Sequence, residues 1–176
     1  YGASGEHQQF PGTVSIGTAA LAHLLVELVR SATTSVNRVL LVNAHGGNLE
    51  AITNAVRTLR AEARNVLAFS PRWPSELVQR GDVHAGQVET SVQLALAPER
   101  VHLPEAKPGP HIDPDQLLPR LRAEGVRPVS PTGVLGDPMG ATPGAWEGFL
   151  ASFVAQLLAA VAAWAGPPPP VDGSGR

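Results

Sequence analysis

Val39-Leu40-Leu41-Val42-Asn43-Ala44-His45-Gly46-Gly47-Asn48 is the stretch of sequence that decides the fold. Its first four residues form an uninterrupted apolar run, which is typical of a strand buried on both faces of a parallel sheet. Ligands of open α/β sheets bind just beyond the carboxyl ends of such strands. His45 follows this strand and is next to two glycines, which allow backbone and ligand to approach closely. We therefore predict a functional site at His45.

The sequence on either side of this stretch predicts a βαβ unit. A helix capped by Thr18 is expected to run to about Ala32, with Leu21, Leu24, Leu25, Leu28 and Val29 on one face. Asn48 is a plausible N-cap for a second helix through about Ala63, with Ile52, Ala55, Val56 and Leu59 as its buried stripe. The apolar run 66–69 then predicts a second strand. This order indicates an α/β protein whose sheet is parallel and covered by helices on both sides.

The rest of the chain is predicted to complete one domain over residues 1–166. Further helices are expected at about 87–96, 114–123 and 143–165, and the segment 97–142 holds most of the remaining proline and glycine. The last ten residues, 167–176, are rich in proline and glycine and are predicted to be disordered.

Composition excludes several classes of protein and site. The 176 residues include no cysteine, which excludes disulfides, thiolate zinc sites and cysteine nucleophiles. The net charge is −2 and there is no basic block, so a nucleic-acid surface is not indicated. No signal peptide is visible, and Glu147, Ser152 and Gln156 interrupt the apolar stretch 145–165. We expect that stretch to be a packed amphipathic helix and the protein to be soluble and cytoplasmic.

Three short clusters place a histidine near glycine, and two of them also contain a carboxylate. Imidazole and carboxylate are the ligands that divalent metals take where thiolates are absent. His84 and Glu89 are five residues apart, or about 140° around a helix, so they could not share one helical face. We expect His84 in the loop before a helix and Glu89 in its first turns, both directed at one cavity. The clusters are Ser4-Gly5-Glu6-His7, His45-Gly46-Gly47-Asn48 and His84-Ala85-Gly86-Gln87-Val88-Glu89-Thr90.

Each of these residues also has an ordinary structural interpretation. A histidine in a glycine-rich turn can be there because turns tolerate polar side chains, and Glu6-His7 could be a solvated loop. Glu89 taken alone could be an exposed helix residue, and Trp73 could either line a pocket or pack. Three further histidines have no neighbouring residues that indicate a functional site and are interpreted as structural: His23, His102 and His111.

The three clusters, together with a fourth motif and in this order, resemble the creatininase (creatinine amidohydrolase) family. The resemblance covers about residues 1–160. The matching stretches are Tyr1-Gly2-x-Ser4-x-Glu6-His7-x-x-Phe10-Pro11-Gly12-Thr13, Val42-Asn43-x-His45-Gly46-Gly47-Asn48, His84-Ala85-Gly86-x-x-Glu89-Thr90-Ser91 and Gly133-Val134-Leu135-Gly136-Asp137-Pro138.

The resemblance implies a three-layer α/β/α fold with a mainly parallel sheet, metal-dependent hydrolysis of C–N amide bonds, and a homo-oligomer, often a hexamer. It implies a divalent cofactor (zinc, or manganese or iron), with two ions in the full-length protein. His45 is implied as a metal ligand and Glu89 as a further ligand with a catalytic role. His84 is implied as the catalytic proton shuttle. Ser4 and His7 are implied on the substrate side, where Trp73 is a further candidate.

Two departures from the family pattern affect the metal site. Creatininase itself has a metal-binding glutamate two residues after the histidine of the second motif, where this chain has Gly47. Glu89 becomes the candidate for that vacant role. Family members also carry an earlier Glu-x-His segment and an Asp, and this chain starts after that point. We therefore expect the N-terminal strand and ligand segment to be missing, and the chain alone to hold metal poorly.

Three functional hypotheses follow from the resemblance. The chain is most similar to the mycofactocin-system members of the family, which implies a peptidase that releases a C-terminal dipeptide from a ribosomal precursor peptide. A second hypothesis is an amidohydrolase of a small cyclic amide or formamide. A third is a truncated, non-catalytic subunit that serves binding or oligomer contacts.

Overall fold

The computed structural model describes residues 2–166, apart from the side chains of Pro114 and Leu118. Tyr1 lies outside the described residues. The tail 167–176, which was predicted to be disordered, lies outside them too. Short 3-10 turns at Gly5–His7 and Gly46–Asn48 carry two of the predicted site clusters. The helices and strands are α1 (Gly17–Ala32), β1 (Val39–Val42), α2 (Leu49–Ala61), β2 (Val66–Phe69), α3 (Ser75–Gln79), α4 (Gln87–Leu96), α5 (Pro114–Glu124) and α6 (Ala145–Ala165).

The predicted βαβ unit is present. β1 and β2 pair in parallel, with Val39 opposite Val66 and Val42 opposite Phe69. Helix α2 connects the two strands and packs against α1. The buried stripe of α2 is confirmed, because residues three and four apart share one side of a helix and here that side meets the sheet. The main core cluster consists of Val26, Val29, Ile52, Ala55, Val56, Leu59 and Val66.

The prediction that β1 is buried on both faces was wrong. Val39 and Leu41 pack against the core formed with α1 and α2, but Leu40 is half-buried and Val42 is 62% exposed. Successive side chains of a strand point to opposite faces. In the described part of the chain, α6 packs against β2, which leaves the second face of β1 partly open.

Helix α1 differs from its prediction in its start and in its buried face. It begins at Gly17, so Thr18 lies inside the helix and does not cap it. Leu24 and Leu28 are more than half exposed, whereas Val26 and Val29 are buried. The cause lies in the tertiary structure. Leucines lie on more than one side of α1, and its contact with α2 determines which side is buried.

Helix α6 is less buried than expected for a packed amphipathic helix. It contacts α4 and β2, yet none of its residues is fully buried, and Leu150, Val154 and Leu158 are exposed. Its 21 residues have a mean hydropathy of 1.8 over their best window, which is enough by length and composition to cross a membrane. One such helix is weak evidence for a membrane span, because core helices of soluble proteins satisfy the same criteria.

Candidate functional site

Asn43 fixes the turn that follows β1. Its side chain is buried, and its Nδ2 donates to the carbonyl of His45 at 3.0 Å and to Ser70 Oγ at 3.3 Å. Its Oδ1 accepts from the backbone N–H of His45 at 3.3 Å and from Asn48 Nδ2 at 3.2 Å. A buried amide with its hydrogen bonds made holds its surroundings in one geometry. Asn43 therefore sets the direction in which His45 leaves the strand.

Asn48 joins this turn to the N-terminal segment. It was predicted to cap α2, but its side chain makes no capping bond. Its Oδ1 instead accepts from the backbone N–H of Ala3 at 2.9 Å. The side chain is thus used to link two segments that are far apart in sequence. The consequence is that the 3-10 turn Gly5–His7 lies directly beside His45.

His45 faces two polar side chains of the N-terminal segment. Its Nε2 lies 3.0 Å from Ser4 Oγ and 3.1 Å from Glu6 Oε1. All three side chains are half-buried, so they are neither fully solvated nor sealed in the core. The turn after β1 therefore places the Nε2 atom of His45 beside the Ser4 hydroxyl and the Glu6 carboxylate.

His84 and Glu89 form a second pair. His84 Nδ1 lies 3.2 Å from Glu89 Oε2, and the same oxygen accepts from the backbone N–H of Ala85 at 2.6 Å. His84 lies in the loop before α4, and Glu89 is in the first turn of that helix. A short antiparallel bridge between His84 and Leu135 anchors the loop, which explains why the fourth sequence motif lies beside the site.

The ionisation of this pair follows from its hydrogen bonds. The hydrogen bond to Glu89 raises the pKa of His84 and outweighs the opposing effect of burial. Burial acts to raise the pKa of Glu89, but hydrogen bonds from His84 and the Ala85 backbone outweigh it, so the pKa lies below its usual value. A carboxylate at Nδ1 assigns a proton to that nitrogen. His84 Nε2 is therefore the nitrogen left to exchange a proton with a substrate.

Asp82 holds the start of α4 in place. Its Oδ2 accepts from the backbone N–H of Gln87 at 2.6 Å, whereas in residues 2–166 its Oδ1 is the buried side-chain atom that has no hydrogen-bond partner. Burial raises the pKa of Asp82 above its ordinary value. The folded protein consequently binds this proton more tightly than the unfolded chain does.

We predict that Asp82→Asn changes the pH dependence of stability. The stabilising contribution of protonated Asp82 is complete below about pH 3.9, the value for an unfolded aspartate, and is lost as the pH rises through the folded pKa. The free energy of unfolding of the wild type should therefore fall, relative to the variant, as the pH rises above about 4 and through the folded pKa. Urea unfolding at several pH values measures this difference, with the exposed helix-capping Asp113→Asn as matched control. A free energy of unfolding of the wild type that stays constant or rises with pH, relative to that of Asp82→Asn, contradicts the prediction.

The histidines of the two pairs, His45 and His84, line one cavity of about 410 Å³. The His7 ring lies between them, with its centroid 4.8 Å from that of His84 and 6.1 Å from that of His45. Burial and the neighbouring His84 lower the pKa of His7. The cavity is lined by Ser4, His7, Phe10, Thr13, His45, His84, Ala85, Thr132 and Gly133.

The structure brings together most of the residues predicted from the sequence. Ser4, His7, His45 and His84 line the cavity. Glu89 is not among the lining residues, but its carboxylate contacts His84. Trp73 is half-buried in the segment before α3 and is not among the lining residues, so its substrate role stays a prediction.

Glu6 is the residue that the sequence analysis did not assign. It stood next to His7 in the first cluster, which was the available signal, but a lone carboxylate in a glycine-containing loop gave no reason to choose it. The structure places its carboxylate beside His45.

The donor set suits a divalent cation, although it is only part of a cage. Two ligands of one tetrahedral zinc lie about 3.4 Å apart when each is about 2.1 Å from the metal. The Glu6–His45 and His84–Glu89 pairs, at 3.1 and 3.2 Å, are close to that separation. Within residues 2–166, however, no group of three or more such side chains is close enough to hold an ion by itself. The separation of donor atoms in these pairs is therefore compatible with a cation, but the described residues supply only part of its ligand set.

The family model for creatinine amidohydrolase matches residues 1–161. The chain belongs to the creatininase family. Its fold agrees with this, since a solved structure of a creatininase mutant complexed with creatine superposes with a TM-score of 0.65. That match has 27% sequence identity and covers 94% of this chain and 72% of the creatininase chain. The resemblance in sequence motifs and the predicted α/β fold class are both confirmed.

Some curated relatives are more similar to this chain in sequence than that creatininase is. The mycofactocin precursor peptide peptidase of Mycobacterium tuberculosis is 47% identical over 164 residues, covering 93% of this chain and 63% of the relative. That of Mycolicibacterium smegmatis is 48% identical over 154 residues, covering 88% and 60% respectively. The chain thus spans about three fifths of the length of these relatives. The predicted similarity to the mycofactocin members of the family is confirmed.

Proposed function

We propose that this creatininase-family chain serves metal-dependent hydrolysis of C–N amide bonds, with a peptide as substrate. The observation that supports this most is the convergence of His7, His45 and His84 on one cavity at the carboxyl end of β1. Two carboxylates accompany them, one beside His45 and one beside His84. Ligand sites of α/β proteins occur at this end of a parallel sheet. The names of the similar curated relatives support a peptidase.

Each residue has a distinct part in this proposal. His45 and Glu89 are metal ligands, and the ion (zinc, manganese or iron, with two ions in the complete site) would polarise the scissile carbonyl and activate water. The Glu89 carboxylate also orients His84 through Nδ1, which leaves Nε2 to give a proton to the departing nitrogen. Ser4 and His7 line the same cavity and position the substrate.

We propose the mycofactocin precursor peptide as the substrate, cleaved to release a C-terminal dipeptide. The curated relatives named above support this choice. A small cyclic amide or a formamide is the alternative, and it is favoured by the similarity to a creatininase complexed with creatine. A non-catalytic subunit that keeps the fold for binding or oligomer contacts is the remaining alternative.

The decisive experiment separates these three functions. The purified protein is incubated with the precursor peptide, with creatinine and with a formamide, each with Mn²⁺ or Zn²⁺ and again after treatment with EDTA. Metal-dependent loss of a dipeptide from the precursor, detected by mass spectrometry, supports the peptidase. Turnover of only the small amides supports the alternative enzyme. Metal binding without any turnover supports the non-catalytic subunit.

The quaternary and cellular setting is also a proposal. We infer a soluble, cytoplasmic homo-oligomer in which residues 1–166 form one creatininase-like domain. The family assignment supports a hexamer. The exposed apolar side chains of α6, such as Leu158, support burial against another copy. Analytical ultracentrifugation measures the assembly, and a monomer at micromolar concentration would contradict it.

A further inference from the structure

Glu6 is held so that its carboxylate meets His45. Its backbone carbonyl accepts a hydrogen bond from the N–H of Val126 at 2.8 Å, which fixes the 3-10 turn against the segment after α5. Its Oε1 lies 3.1 Å from His45 Nε2, and the side chain is half-buried. Glu6 is therefore held in place by contacts with residues that are distant in sequence.

Gly47 creates the space in which this meeting occurs. A Cβ built on Gly47 would lie 2.5 Å from Glu6 Oε1 and 2.6 Å from His45 Nε2, and closer still to the carbonyl oxygen of Ala3. Real Cβ atoms essentially never approach so closely. A side chain at position 47 would therefore point at the place where the Glu6 carboxylate and the His45 ring meet.

Glu89 does not occupy that place. Its Oε2 contacts His84 Nδ1 and the backbone N–H of Ala85. Glu89 was the candidate predicted from the sequence for the carboxylate role left vacant by Gly47, but the structure places the carboxylate of Glu6 at Gly47. The site thus has one carboxylate beside each of two histidines.

We propose that Glu6 is a metal ligand that acts together with His45, and that it supplies the carboxylate for which position 47 has no side chain. The proposal rests on the proposed metal-dependent function and adds a ligand to it. The donor atoms support it, because an imidazole nitrogen and a carboxylate oxygen 3.1 Å apart are placed as two ligands of one cation are. Ser4 Oγ, 3.0 Å from His45 Nε2, then holds the histidine before a cation binds.

The test uses Mn²⁺ as a paramagnetic probe in the purified protein. Binding at this site broadens the NMR signals of the His45 ring, and the Mn²⁺ concentration that gives half of the effect measures affinity even when binding is weak. We expect Glu6→Gln to raise that concentration about tenfold or more. The matched control is Glu76→Gln, an exposed carboxylate on α3, which should bind as the wild type does.

A second measurement needs no variant. In protein with ¹³C-labelled glutamate, the diamagnetic ion Zn²⁺ should shift the Glu6 carboxylate signal of the wild type together with the His45 ring signals, because coordination changes the chemical shift of a carboxylate. A Zn²⁺-induced shift of the His45 signals with an unshifted Glu6 signal, or equal Mn²⁺ affinity in folded Glu6→Gln, overturns the role of Glu6 while the metal-dependent function stands. Absence of any broadening at millimolar Mn²⁺ overturns both.

Discussion

Replacing Gly47 with alanine is expected to destabilise the protein by about 1–3 kcal/mol, the usual cost of overpacking a close contact. The new methyl group would overlap Glu6 Oε1, His45 Nε2 and the carbonyl oxygen of Ala3. Side-chain ends can rotate away, but the Ala3 carbonyl belongs to the backbone, and Asn48 ties that backbone to the turn. Relief of the overlap therefore requires the N-terminal segment to move away from β1. Urea unfolding measures the stability loss.

The neighbouring glycine provides a matched control. A Cβ on Gly46 would meet no atom within 4 Å, so Gly46→Ala should leave stability within about 0.5 kcal/mol of the wild type. We also expect Gly47→Ala, but not Gly46→Ala, to weaken Mn²⁺ binding. Equal stability of the two variants would show that position 47 is not crowded.

Replacing His84 with glutamine is expected to reduce turnover of the substrate by about 10²–10⁴-fold, the usual contribution of a general acid or base. Glutamine retains a polar side chain of similar length but cannot carry a proton between groups. The reason for expecting His84 to act in this way is its geometry, because Glu89 binds Nδ1 and thus leaves Nε2 to act, and His84 lines the same cavity as His7. Steady-state kinetics with the precursor peptide measures the loss.

Metal content separates this role from that of a ligand. We expect His84→Gln to bind Mn²⁺ nearly as the wild type does, because His84 is proposed to move a proton and not to hold the ion. His102→Gln is the matched control, since His102 also lies near a carboxylate, Glu105, but both side chains are exposed and neither residue lines the cavity. Turnover retained by His84→Gln would exclude the proton-shuttle role.

Much of the fold could be predicted from local patterns. The apolar runs at 39–42 and 66–69 are strands, and the periodic stripe of α2 is buried. Such runs and stripes are predictable because they depend on the geometry of one element at a time. The predictions that failed concerned which side of an element is covered. Leu24 and Leu28 looked equivalent to Val29 in the sequence, yet only contact between α1 and α2 decides which of them is buried.

The candidate site shows the same division. His84 and Glu89 would lie about 140° apart on one helix, which predicted that His84 precedes α4 and that Glu89 lies in its first turns, and the structure has this arrangement. Asn48 was expected to cap a helix, which is the usual local role of asparagine there, but its side chain bonds to Ala3 instead. The Asn48 side chain binds a residue distant in sequence and makes no local capping bond, and a local sequence pattern does not identify such a distant partner.

The sequence by itself determined that this is an α/β protein of the creatininase family, with His45 at the carboxyl end of a strand and a histidine–glutamate pair at the start of a helix. These features follow from periodicity and motif spacing, which are local properties. Only the tertiary structure showed that Glu6 meets His45 over Gly47. That contact joins segments about 40 residues apart through Asn43, Asn48 and Val126, and the absence of a side chain at position 47 has meaning only once the atoms that would touch it are known.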